Sequence, residues 1–206
     1  EYVNFVKKYI NYKFGYKIPF DDFIQQNEQP SMLGYEIIGA EEINFKYIVV
    51  FDTPPQSRAN EFSGFMSGNL NLKFEVISEF LLEVIQVCSK QGLVVYLKPK
   101  YSMSNYSLKY SEFLYDLLGK YRSHFFIIDP YCNTKEMVQR AEGCVCMPYT
   151  SIKLLCESLN IPSKYYMPES YKAAYTRVSI DPNLICGKSE LSKFISNLTM
   201  SDNFDV

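Results

Sequence analysis

An apolar run that ends in a turn occupies residues 47–55, Tyr47-Ile48-Val49-Val50-Phe51-Asp52-Thr53-Pro54-Pro55. Its first five residues are β-branched or aromatic, and two consecutive prolines close it. A strand in a parallel sheet has this composition, because helices cover both of its faces and leave no side facing solvent. We therefore predict a buried parallel strand that leads into Asp52.

Similar apolar runs recur along the chain that follows, alternating with helical segments. Segments with apolar residues at helical spacing alternate with short apolar runs, and breakers such as Gly92, Pro99 and Pro130 separate them. Asn133 and Glu136 have the spacing of a capping pair at the start of a helix. The predicted helices span residues 73–90, 106–121, 133–141 and 151–159, and the further predicted strands span residues 93–97, 125–128, 144–147 and 164–166.

Strands that alternate with helices form a parallel sheet with right-handed crossovers. We therefore predict an α/β fold, a Rossmann-like parallel sheet with helices on both faces. This domain is predicted to cover residues 45–206. Residues 1–44 are predicted to be a connector with a partial helical segment at residues 2–14, since Pro19, residues 25–30 and Gly34 interrupt any regular pattern after it.

The composition argues against several classes of function. The chain has 206 residues, 47% of them apolar, and a formal net charge of −2. This charge gives no basic footprint for nucleic acid, and no apolar run approaches the roughly 20 residues that cross a bilayer. Six cysteines without a C-x-x-C pair fit reduced, buried thiols. We expect a cytoplasmic protein, either free or peripheral to the inner face of the cytoplasmic membrane.

Two features argue against a metal centre. The single histidine, His124, adjoins a predicted strand, where it is expected to pack rather than to serve a histidine-based zinc site or a Ser-His-Asp triad. No D-x-D motif stands near a strand end. We therefore expect neither a cofactor nor a metal.

Ligands of parallel sheets bind outside the carboxyl ends of the strands, so the loops after the strands are the candidate sites. The first such loop, residues 52–58, carries hydroxyl, amide and guanidinium groups, but it also fits a turn that two prolines stiffen. The second is Lys98-Pro99-Lys100, whose two cations suit a phosphate; solvated surface lysines are the alternative.

The third loop, Met147-Pro148-Tyr149-Thr150-Ser151, runs from a strand directly into a helix. A helix start offers backbone N–H groups and the positive end of the helix dipole to an anion. Glu157 follows Thr150 by two helical turns, about 10 Å, which suits a ribose diol beyond a bound phosphate. The alternative is that Thr150 or Ser151 only caps the helix, with Glu157 paired to Lys153 four residues earlier.

The order of these motifs resembles the carboxyl-terminal half of bacterial surface-polysaccharide glycosyltransferases of the GT-B type, over about residues 45–198. The segments that carry the resemblance are residues 49–55, 97–100, 128–130, 147–151 and 162–166. In GT-B enzymes this half binds the nucleotide of the activated sugar, while the amino-terminal Rossmann domain binds the acceptor and commonly supplies the base. The resemblance implies a nucleotide-sugar donor and a glycan acceptor as partners, with the acceptor domain absent from this chain.

The loops and the resemblance together suggest a nucleotide-sugar site. Its candidate residues are Asp52, Thr53, Lys98, Lys100, Asp129, Tyr131, Pro148, Tyr149, Thr150, Ser151 and Glu157. Tyr131 and Tyr149 are candidates for stacking on the base, although loop tyrosines as often cover apolar surface. Lys98 and Lys100 are candidates for stabilising the leaving nucleotide, and no catalytic base is assigned.

Two other functions remain open at this point. One is a nucleotide-sugar epimerase or polyol-phosphate transferase, because both reuse the same architecture. The other is a non-catalytic nucleotide-binding module. If the chain is half of a GT-B enzyme, it should bind a nucleotide and transfer almost no sugar, because acceptor positioning and the base would both be missing.

Overall fold

The computed structural model describes residues 37–38, 46–52, 74–100, 106–148, 150–172 and 182–200. Within these ranges seven strands form one sheet in the order β1-β4-β3-β2-β5-β6-β7. The strands are β1 (Ile37–Ile38), β2 (Tyr47–Phe51), β3 (Val94–Leu97), β4 (Phe125–Ile128), β5 (Gly143–Cys146), β6 (Ser163–Met167) and β7 (Leu184–Cys186). The helices of this part of the chain are α1 (Phe74–Lys90), α2 (Leu108–Lys120), α3 (Thr134–Gln139), α4 (Ile152–Ser158) and α5 (Gly187–Met200).

Strands β2 to β7 are all parallel, and β1 alone is antiparallel, against β4. In the central register Val49 lies opposite Tyr96 on one side and Cys144 on the other. All five residues of β2 are buried. The predicted α/β, Rossmann-like fold is confirmed.

Helices cover both faces of this sheet. The alternate side chains of β2 divide between the two layers, so that Ile48 and Val50 pack under α1, α2 and α5. Tyr47, Val49 and Phe51 pack on the other side, against α3 and α4. Burial on both faces explains why β2 has no polar residue before Asp52.

The predicted elements between residues 73 and 167 are confirmed, with bounds that shift by at most two residues wherever both ends are described. Asn133 caps α3, and its side chain accepts a hydrogen bond from the Glu136 amide at 3.1 Å. Strand β1 belongs to the sheet although the sequence analysis placed its residues in the connector, and β7 and α5 were not predicted. The helix predicted at residues 2–14 lies outside the described residues, and the division at residue 44 stays a prediction.

His124 and the cysteines are where the sequence analysis expected them. His124 is half-buried at the amino end of β4, with its Nδ1 2.8 Å from the Ser123 hydroxyl oxygen. It therefore lies at the edge of the sheet opposite the carboxyl ends of the strands. All six cysteines are free thiols, and five of them are buried. Among the helices in the described ranges, none combines the length and apolar character needed to cross a bilayer.

The backbone of β5 passes close to α5, and we predict that Gly143→Ala destabilises the fold. An alanine Cβ would lie 2.7 Å from Leu198 Cδ1 and 3.0 Å from the backbone oxygen of Pro162. Overpacking of this kind costs about 1–3 kcal/mol. Gly119→Ala is the matched control, because nothing lies within 4 Å of its added Cβ and alanine favours a helix by about 0.8–1 kcal/mol. Equal urea midpoints for the two variants would contradict this packing.

Candidate functional site

The strand order of the sheet reverses between β2 and β5. From β2 the chain proceeds through α1 to β3 and then to β4 on one side, whereas β5 lies on the other side and leads to β6 and β7. At such a switch point the loops after the two strands separate and leave a crevice at the carboxyl edge of the sheet. Asp52 follows β2 there, and Met147 and Pro148 follow β5. The Met147 amide donates to the Phe51 carbonyl at 2.9 Å, which ties the two strand ends together.

Asp52 is the first polar residue after β2, and it is buried with 6% of its surface exposed. Its Oδ2 accepts a hydrogen bond from the hydroxyl of Tyr110 on α2. Its Oδ1 is also buried and has no hydrogen-bond partner among the described residues. Burial raises the pKa of the Asp52 carboxyl to about 7, opposed by a backbone hydrogen bond of Asp52 itself. The pKa rises because loss of hydration disfavours the charged form of the carboxyl.

Lys98 stands at the end of the neighbouring strand β3 and is buried, with 8% of its surface exposed. Its Nζ donates to the carbonyl oxygen of Pro130 at 2.6 Å. Burial lowers the pKa of Lys98, while Cys132 and Asp129 act in the opposite direction. Lys98 therefore holds the loop after β4 in place through one of its three N–H donors.

Asp52 and Lys98 do not contact each other, because they belong to opposite faces of the sheet. Asp52 is on the side of Val50 and α2, where Tyr110 reaches it. Lys98 continues the alternation of Val94 and Tyr96 and lies near Cys132 on the other side. The carboxyl and the ammonium thus flank the sheet edge and do not form an ion pair.

The loop after β4 is shaped by Asp129. Its Oδ1 accepts from the Tyr131 amide at 2.7 Å, and its carbonyl accepts from the Cys132 amide at 3.0 Å. The side chain of Tyr131 is left 62% exposed at the carboxyl edge. Lys100, two residues after Lys98, is exposed as well. Both side chains are accessible to solvent at this edge of the sheet.

The loop after β5 is held by Thr150. Its hydroxyl donates to the Met147 carbonyl at 3.0 Å, and its own carbonyl accepts from the Tyr165 hydroxyl at 3.0 Å. Ser151 occupies the N-cap position of α4, yet its side chain makes no capping bond and is exposed. The hydroxyl of Thr150 is therefore used within the turn, whereas that of Ser151 does not cap the helix.

Glu157 makes the ion pair that the sequence analysis gave as its alternative. Its Oε1 lies 2.8 Å from Lys153 Nζ, one turn earlier on α4. The pair is asymmetric, because the Lys153 side chain is 4% exposed and that of Glu157 is 41% exposed. A buried lysine needs a counter-charge, so this glutamate has a structural partner whether or not it also meets a ligand.

Two candidate residues, Thr53 and Tyr149, lie outside the described residues, as does the loop from Pro54 to Arg58. Within the described ranges, no group of three or more histidine, cysteine or acidic side chains is arranged to hold a metal ion.

Sequence reasoning missed Tyr110 and a cluster of thiols behind the third loop. Tyr110 is buried on α2 beside Leu114 and Leu117. The only feature of the sequence that could have indicated its role is a hydroxyl on an otherwise apolar helix face, since a buried tyrosine hydroxyl usually has a hydrogen-bond partner. Hydrogen bonds from Cys144 and Cys146, with Lys153 nearby, hold the pKa of Cys156 well below its usual range. The spacing of Cys144 and Cys146 placed both on one face of β5, but nothing in the sequence brought Cys156 to them.

The raised pKa of Asp52 predicts a pH-dependent stability. Its unfolded pKa is about 3.9, so between pH 4 and 7 the native state holds a proton that the unfolded state has lost. The carboxyl thus stabilises the fold at low pH, and this contribution falls by about 1.4 kcal/mol per pH unit up to about pH 7. Urea unfolding from pH 4.5 to 8 should show this loss relative to Asp52→Asn. The exposed Asp116→Asn on α2 should follow the wild type, and parallel curves for wild type and Asp52→Asn would contradict the raised pKa.

Comparison with known proteins assigns the family. The model of the polysaccharide biosynthesis PFTS motif proteins matches residues 33–195, about four fifths of the chain. Residues 148–151 read Pro-Tyr-Thr-Ser, which differs from the four letters of that description only in Tyr149 for Phe. No curated protein matches the chain. This chain belongs to the polysaccharide biosynthesis PFTS motif family.

Proposed function

We propose that this chain is the donor-binding domain of a glycosyltransferase that transfers a sugar from a nucleotide-sugar to a growing surface polysaccharide. Two observations together carry the proposal. One is the switch point of the sheet, the place where parallel sheets bind their ligands, after which Pro148, Thr150 and Ser151 follow β5. The other is that the family acts in polysaccharide biosynthesis.

In this proposal the nucleotide lies across the carboxyl ends of β2 and β5. The diphosphate sits beside Ser151, whose hydroxyl is exposed and does not cap α4. Tyr131, exposed in the loop after β4, contacts the base by stacking. Glu157 is assigned a ribose contact through its exposed oxygen only, because Oε1 already pairs with Lys153.

The chemical role proposed for Lys98 follows from its burial. An ammonium that is shielded from water stabilises negative charge on a leaving nucleotide more strongly than an exposed one, because the local dielectric constant is lower. Lys98 is held by Pro130, so it needs little reorganisation when that charge develops. Lys100 is exposed and is assigned the weaker, screened contribution. The base that activates the acceptor is placed outside these residues, and the proposed reaction uses no metal.

The proposal is tested by titrating the chain with CMP, CDP, UDP, GDP and the corresponding nucleotide-sugars in a calorimeter. We expect at least one nucleoside diphosphate to bind more tightly than its nucleoside, because the phosphates supply charge-assisted hydrogen bonds. Failure of the whole panel to bind at millimolar concentration would contradict the proposal.

The alternatives differ in the products that they form. A transferase supplied with donor, acceptor and any missing domain releases free nucleotide and lengthens the glycan. An epimerase returns an isomeric nucleotide-sugar with its diphosphate intact. A non-catalytic module binds the nucleotide but converts nothing, even with the full set of partners.

Ser151→Ala should separate ligand binding from folding. We expect nucleotide affinity to fall by about 1–3 kcal/mol, the range for losing a hydrogen bond to a charged group. Stability should change little, because the Ser151 side chain makes no capping bond. Ser158→Ala at the other end of α4, which removes a hydroxyl bonded to the Leu155 carbonyl, is the matched control and should keep full affinity. Unchanged affinity in folded Ser151→Ala would remove this residue from the site.

A further inference from the structure

Asp52 is a buried acid at the switch point whose hydrogen bonds are incomplete. Only 6% of its surface is exposed, and its Oδ1 has no hydrogen-bond partner in the described part of the chain. A buried polar atom without a partner costs about 1–3 kcal/mol. Such groups persist at sites where a ligand or a proton completes them.

The two carboxyl oxygens of Asp52 are not equivalent. Oδ2 accepts the hydroxyl hydrogen of Tyr110, so a proton on the carboxyl belongs on Oδ1. A neutral Asp52 therefore has an O–H donor on Oδ1 without a partner among the described residues, whereas an ionised Asp52 has an uncompensated negative charge there.

Within the described residues, no cation compensates that charge. On α2, Tyr110 is the titratable group in contact, and its neighbour Lys109 lies 3.6 Å from Glu75 instead. The acidic residues of α1 are also engaged elsewhere, since Glu83 accepts from the Tyr166 hydroxyl and Glu79 accepts from that of Ser170. Lys98 lies on the other face of the sheet, and the end of β5 contributes Met147 and Pro148, which do not titrate.

We propose that anion binding at this switch point is linked to protonation of Asp52, whose neutral carboxyl donates a hydrogen bond from Oδ1 to a phosphate oxygen. The inference rests on the proposed function, because it takes the diphosphate of a nucleotide-sugar as the anion. An ionised Asp52 next to a diphosphate would be repelled by it. One proton is therefore taken up from solvent as the ligand binds, and affinity falls as pH rises.

The test uses UDP-glucose, GDP-mannose and CDP-glucose, because both phosphates of these probes are esterified and do not titrate near neutral pH. With Asp52 about half protonated at pH 7, binding should take up about half a proton there. Calorimetry in two buffers of different ionisation enthalpy measures this uptake. Above pH 7 the affinity should fall by up to about tenfold per pH unit, the limit for one linked proton.

Three variants assign the effect to this carboxyl. Asp52→Asn, whose amide imitates the neutral acid, should keep the affinity seen at low pH and lose the pH dependence. Asp52→Ala should bind about tenfold more weakly than Asp52→Asn at every pH, since it lacks the donor. Tyr110→Phe removes the donor that favours the ionised form, so the midpoint of the pH profile should move upward. Asp116→Asn, an exposed carboxyl on α2, should keep the wild-type profile.

The possible outcomes separate the two proposals. Binding without proton uptake, binding with proton release, or a wild-type pH profile in Asp52→Asn would overturn the role of Asp52 and leave the proposed function standing. Failure of all three probes and of the free nucleotides to bind would overturn both.

Discussion

The structure depends on the position of β2, which is buried on both faces and paired on both edges. It lies between β3 and β5, and all five of its residues are buried. A strand in that position has no face on which a polar side chain could reach water, so its polar residues begin only where it ends. The strand order also reverses at β2. One strand therefore sets the centre of the core and one wall of the crevice.

Burial of β2 also accounts for the chemistry at its end. Asp52 follows β2 directly. Its side chain is therefore buried like the core residues before it, although it lies at the end of the strand, where parallel sheets bind ligands. An acid there is driven toward its neutral form. Tyr110 supplies a hydrogen bond from α2. The proposed anion site uses this neutral form, because a carboxylate in these surroundings would repel an anion.

The sequence predicted the fold because burial on two faces leaves a plain pattern: apolar runs such as Phe125–Ile128 alternate with helical faces, and breakers separate them. The pattern did not predict the edge strands Ile37–Ile38 and Leu184–Cys186. These strands are only two and three residues long, so they are recognised by their pairing with a neighbouring strand and not by their composition. Site residues were predicted by their place after strands. The hydrogen-bond partners of these residues could not be predicted. Tyr110, for example, lies 58 residues from Asp52 in the chain, and only the packing of α2 brings the two together.

The separation of Asp52 and Lys98 limits how a ligand can use them. The two side chains follow adjacent strands but lie on opposite faces, so neither neutralises the other. In the proposed complex the diphosphate meets, on the side of α2, an acid that is favourable only when neutral. On the side of α3 it meets the ammonium of Lys98, which Pro130 holds in place. The proposed complex thus gains the attraction of Lys98 without the repulsion of an adjacent carboxylate, because Asp52 is neutral and lies on the other face of the sheet.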